Sequence, residues 1–71
     1  MSTELDAALL DAHARHDRAA LVTLYAQAAD ATRELDASCF YLTHAYVFAL
    51  DTGDARADAL RARLVSYGRE E

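Results

Sequence analysis

The 71-residue chain has no proline and no lysine, only two glycines and a single cysteine. Without proline nothing interrupts a helix from within, and seventeen alanines in a chain that is 54% hydrophobic favour packed helices over disorder. With one cysteine there is no internal disulfide, and Cys39, set in an apolar run, is expected to be a reduced packing residue. The seven cations are all arginine, spread from Arg15 to Arg69 rather than gathered in a stripe, and the net charge of −5 opposes a phosphate backbone. Nucleic acid is thus not an expected partner. A bilayer span needs about 20 mostly apolar residues. The longest uncharged stretch, Ala37 to Leu50, falls short of that and contains Ser38, Thr43 and His44. No membrane partner is expected either. The opening MSTELDAALL is acidic and lacks both the basic start and the apolar core of a secretion signal, so the expected location is cytoplasmic.

What remains reads as one small all-α domain of four short antiparallel helices. A chain this short buries only about 60% of the surface that its unfolded form exposes, so its core is small. Helix one is expected over about 4–15, capped by Ser2 or Thr3, with Leu5, Ala8, Leu9 and Ala12 as its apolar stripe. His16 or Asp17 breaks it, and Asp17 caps the next. Helix two is expected over about 18–34, because Thr23, Gln27, Asp30 and Glu34 recur at helical spacing along one polar line. Leu21, Leu24, Tyr25 and Ala28 form its main apolar face, and Val22, Ala26 and Ala29 a second. With no Gly or Pro to mark the next turn, the break is set at Leu35, with Asp36 capping a third helix over about 37–51. Gly53 closes that helix in the left-handed conformation, and Asp54 caps a fourth over about 55–67. There Ala57, Leu60, Leu64 and Tyr67 face inward and Arg56, Asp58 and Arg63 face water. Gly68 ends it, leaving the tail REE.

Helix three is apolar on nearly every side. Cys39, Leu42, Tyr46 and Ala49 lie along one side, and Phe40, His44, Val47 and Phe48 along the other. A core this small cannot cover both, so the second side, with Tyr41, is the candidate interface, aromatic residues being enriched at interface centres. The expected partner is a protein or a second copy of the chain, pairing symmetrically through Phe40, His44, Val47 and Phe48. An acidic module that covers a basic partner's surface is also compatible with the net charge.

Chemistry has few candidates. His13, His16 and Asp17 have the spacing of a partial metal site, and with His44 they define the alternative of a small-molecule or metal-binding protein. Competing structural roles exist for each: Asp17 as a cap, His16 as a helix-end residue, and His44 as a core group bonded to a hydroxyl or carbonyl. Cys39 and His44 are five residues apart and fall on different faces, and no serine elbow, phosphate loop or paired CxxC motif is present. The chain is therefore expected to be no enzyme and to carry no cofactor.

The stretch DASCFYLTHAYVFALDTGDARADALRARL resembles a tetratricopeptide-type helical hairpin. Ala37 and Tyr41 match the small residue and the aromatic four later that mark the second helix of such a repeat, and ALDTGDARADAL resembles a repeat junction. The resemblance covers about Asp17 to Leu64, one and a half repeats. It implies stacked hairpins with a surface for protein partners, and no chemistry of its own. A plain four-helix bundle accounts for the same pattern.

Overall fold

The structure, a computed structural model, describes residues 3–69. Four helices, α1 (Thr3–Ala14), α2 (Arg18–Ala31), α3 (Leu35–Thr52) and α4 (Ala57–Ser66), account for its regular structure, with no strand among the described residues. Ser2, one of the two expected caps, and the last two residues of the tail lie outside the described residues, and Thr3 is already helical.

Three of the helix ends share one device. After α1 the amide of Asp17 bonds back to the Ala12 carbonyl, after α3 that of Asp54 bonds to Ala49, and after α4 that of Arg69 bonds to Leu64. Each of these six-to-one bonds is made possible by a left-handed residue just before the donor: His16 (φ 53°), Gly53 (φ 67°) and Gly68 (φ 74°). Glycine takes this conformation freely, whereas a side chain costs about 1 kcal/mol or more. His16 therefore does end α1 as expected, at a glycine-like position. Asp17 caps α2 as expected, its Oδ1 accepting from the Ala20 amide at 3.1 Å.

The next two boundaries differ from expectation. α2 stops at Ala31, because Thr32 turns extended and its hydroxyl accepts from the Glu34 amide at 3.3 Å, a local bond that competes with the helix. Glu34, not Asp36, occupies the cap position of α3, and Leu35 and Asp36 belong to its first turn. Asp54 does not cap α4 directly. It accepts from the Arg56 amide at 2.9 Å and from the Arg56 guanidinium, fixing a turn after which α4 starts at Ala57.

Cross-links between ends show that α3 runs antiparallel to both α2 and α4. Buried Ser38, early in α3, donates to the carbonyl of Ala29, late in α2, at 3.0 Å, while Arg18 at the start of α2 pairs with Asp51 near the end of α3. Arg69, beyond α4, pairs with Asp36 at the start of α3. The expected polar line of α2 is not left wholly to water. Thr23 receives Arg56 at 2.6 Å and Asp30 receives Arg63 at 2.8 Å, so two arginines assigned to solvent lash α4 to α2.

Two apolar clusters result. Val22, Ala29, Cys39, Leu42, Ala45, Ala49, Leu60 and Leu64 bring α2, α3 and α4 together, and Leu9, Ala12 and Leu21 bring α1 onto α2. The two expected faces of α2 thus serve two neighbours. Alanines at Ala12, Ala45 and Ala49, fully buried, let backbones approach closely. Tyr25 and Phe48 pack against both clusters and join them. Cys39 is a free thiol in the larger cluster. Tyr67, expected to face inward, is 39% exposed, because α4 ends one residue before it.

Among the described residues only consecutive helices pack backbone to backbone, and the Cα extents are 31 × 28 × 12 Å. α4 nonetheless reaches α2 through Arg56 and Arg63, so α2, α3 and α4 share one cluster and α1 docks on α2. Among the described residues no helix covers the outward side of α3, where Phe40, Val47 and Leu50 are exposed.

Candidate functional site

The outer face of α3 follows from helical geometry. Phe40, Thr43, Val47 and Leu50 are spaced three, four and three residues apart, which places them within about 80° of the helix circumference. All four are exposed, with Phe40 at 59%, Val47 at 53% and Leu50 at 57%. Ala45 lies on the opposite side of the same helix and is completely buried. α3 is thus divided lengthwise into a core-facing half and an apolar outer half.

The sequence-expected interface residues divide along this line. Phe40 and Val47 stand on the outer face, whereas Tyr41, His44 and Phe48 are half-buried along the flank toward α2. Phe48 lies about 80° around the helix from Phe40. It is drawn inward against the Tyr25 ring, stacked at 5.9 Å between centroids, and against His13 at 6.0 Å. It serves the core more than the surface. Thr43 and Leu50 were not among the expected interface residues, although the spacing from Phe40 could have shown them.

Between the flank and the outer face runs a small apolar groove of about 190 Å³ lined by Thr43, His44, Val47 and Phe48. His44 stacks on Tyr25 at 4.9 Å and touches the Phe40 ring at 4.5 Å. Its Nδ1 lies 2.9 Å from the Phe40 carbonyl oxygen, which can only accept, so Nδ1 carries the proton and donates. The Thr43 hydroxyl donates to the Cys39 carbonyl at 2.8 Å. The groove is therefore almost wholly apolar, and the one hydroxyl in its lining, that of Thr43, is held by the Cys39 carbonyl with no acidic residue beside it.

Beyond His44, Tyr25 forms the flank. Burial, then the neighbouring Tyr41, raises the pKa of its phenol, so it stays protonated, and its oxygen is 2.8 Å from His13 Nε2. That pair is a contact between α1 and α2 that no local pattern announces.

The histidines do not converge on a metal site. His13 is engaged with Tyr25, and His16 holds the turn after α1. Both carboxylate oxygens of Asp17 are occupied, by the Ala20 amide and by Arg15 at 2.9 Å. The Ala20 amide and then Arg15 lower the Asp17 pKa. Among the described residues no group of three or more His, Cys, Asp or Glu is placed to hold a metal ion, and no helix is long and apolar enough to cross a membrane.

No protein-family model, no curated protein and no solved structure matches the chain.

Proposed function

We propose that this protein is a helical interaction module without catalytic activity of its own, and that its contact surface is the outer face of α3. The observation that carries this reading is the row Phe40, Val47 and Leu50, each more than half exposed, on a helix whose core side, at Leu42, Ala45 and Ala49, is completely buried. Isolated surface apolar residues need no explanation, but a continuous line beside an apolar groove does. The packing of each helix on the next in sequence also suits the stacked-hairpin architecture that the tetratricopeptide resemblance implies, in which an uncovered helical face receives protein partners.

The test is a double substitution, Phe40→Glu with Val47→Glu. Both residues are exposed, so the fold should remain, as judged by circular dichroism and thermal unfolding. Solubility should rise, and assembly, measured by light scattering on a sizing column, should shift toward monomer where wild type associates. Unchanged solubility together with unchanged assembly would refute the reading.

A further inference from the structure

We propose that the occupant of the α3 face is a second copy of this chain, with the two α3 helices antiparallel and a two-fold axis level with Ala45. This rests on the interaction-surface reading above and adds the partner and its register.

The spacing of the exposed row supplies the first argument. Phe40 and Leu50 lie five residues either side of Ala45, and Thr43 and Val47 lie two either side. A two-fold axis at that level sets Phe40 against Leu50 of the second copy and Thr43 against its Val47. Large meets large and small meets small across the axis, as a self-complementary patch requires. The Thr43 hydroxyl is already committed to the Cys39 carbonyl, so the seam receives its methyl group and no unpaired donor.

Charge supplies the second. The row itself is uncharged, so the net charge of −5 stays off the seam. Its two ends carry ion pairs, Asp36 with Arg69 at one and Asp51 with Arg18 at the other. In the antiparallel register the Asp36–Arg69 pair of one copy meets the Arg18–Asp51 pair of the other. Each end then holds two carboxylates and two guanidiniums. That balance holds in a parallel register as well, so it is the opposed helix dipoles that favour the antiparallel one.

Size sets the strength. Three half-exposed apolar side chains and their flanks supply less than the roughly 800 Å² per partner of a standard interface. The dimer is therefore weak, forming between about 10 µM and 1 mM.

Glu34 is exposed and makes no side-chain cap bond, so a spin label at Glu34→Cys reports the register, while the buried Cys39 stays unlabelled. Glu34 is eleven residues from Ala45, which puts two labels about 33 Å apart in the antiparallel dimer, against about 10 Å in a parallel one. Double electron–electron resonance at high concentration should give the long distance, and adding Val47→Glu should lower the dimer fraction at least tenfold. A short distance, or a dimer indifferent to Val47→Glu, would overturn the proposal. So would a monomer by light scattering up to about 1 mM. In that last case a gain in solubility from the double glutamate variant would leave the interaction surface standing with a different partner, whereas no gain would remove both.

Discussion

The chain's two phenylalanines sit eight residues apart on one helix, and the structure gives them opposite roles. Phe48 joins the two apolar clusters and touches Tyr25 and His13, while Phe40 is 59% exposed. Truncating a buried phenylalanine to alanine costs about 3–5 kcal/mol, and a half-buried one that bridges two clusters falls just below that range, at about 2–3 kcal/mol. A domain of this length has only about 4–10 kcal/mol of total stability. At about 4–8 °C per kcal/mol, Phe48→Ala should lower the melting temperature by about 10–20 °C. Phe40→Ala removes little that is buried, and in dilute solution it should cost less than about 1 kcal/mol. The assay is thermal unfolding followed by far-ultraviolet circular dichroism at low micromolar concentration, where a weak dimer contributes nothing. Equal losses for the two variants, or a larger one for Phe40→Ala, would refute the assignment of Phe48 to the junction of the clusters.

Two further outcomes follow from the turns. Replacing His16 by glycine relieves its left-handed backbone and should raise stability by about 0.5–1 kcal/mol in denaturant titration, and a loss would mean that the imidazole contributes more than the strain costs. Asp54 is held down at about 2, first by the Arg56 side chain and then by the Arg56 amide. Its folded pKa is lowered, so its contribution is complete above the ordinary carboxylate value of about 4 and is lost as pH falls toward 2. Asp54→Asn should flatten part of the acid destabilisation between pH 4 and 2, and an unaltered acid limb in the variant would contradict the coupling.

Much of the fold was legible where a single residue type has one physical meaning. Gly53 and Gly68 mark ends because left-handed backbone favours glycine, and Asp17 marks a beginning because its short carboxylate reaches the Ala20 amide. The link Thr32–Glu34 was not legible, since it contains no glycine or proline and turns on a threonine hydroxyl bonding two residues ahead. His16 reads as a helix end, but nothing beside it signals its left-handed backbone, which the Asp17-to-Ala12 bond accompanies. On α3, the uncharged run announced an uncovered face, yet which side of it would stay bare depended on where α2 and α4 lie. The pattern therefore grouped Phe48 with Phe40 and passed over Leu50. The ring contacts of Tyr25 with His13 and His44 depend on how three helices register against one another, which no spacing within one helix encodes.

The arrangement of the helices in sequence order has a consequence for how the chain folds. Links of three, three and four residues join α1 to α2, α2 to α3 and α3 to α4, and every backbone-to-backbone helix contact forms across one of them. Loop closure is cheap at these lengths, and no distant segment has to be found before contacts begin to stabilise. Folding can start at the α2–α3 hairpin, where Ser38 and Val22 are buried, and spread outward by adding α1 on one side and α4 on the other. Such local wiring belongs with the fastest-folding domains, in the microsecond to millisecond range. It also means that α1 can detach without dismantling the larger cluster, so its amides should exchange with solvent ahead of those in α3.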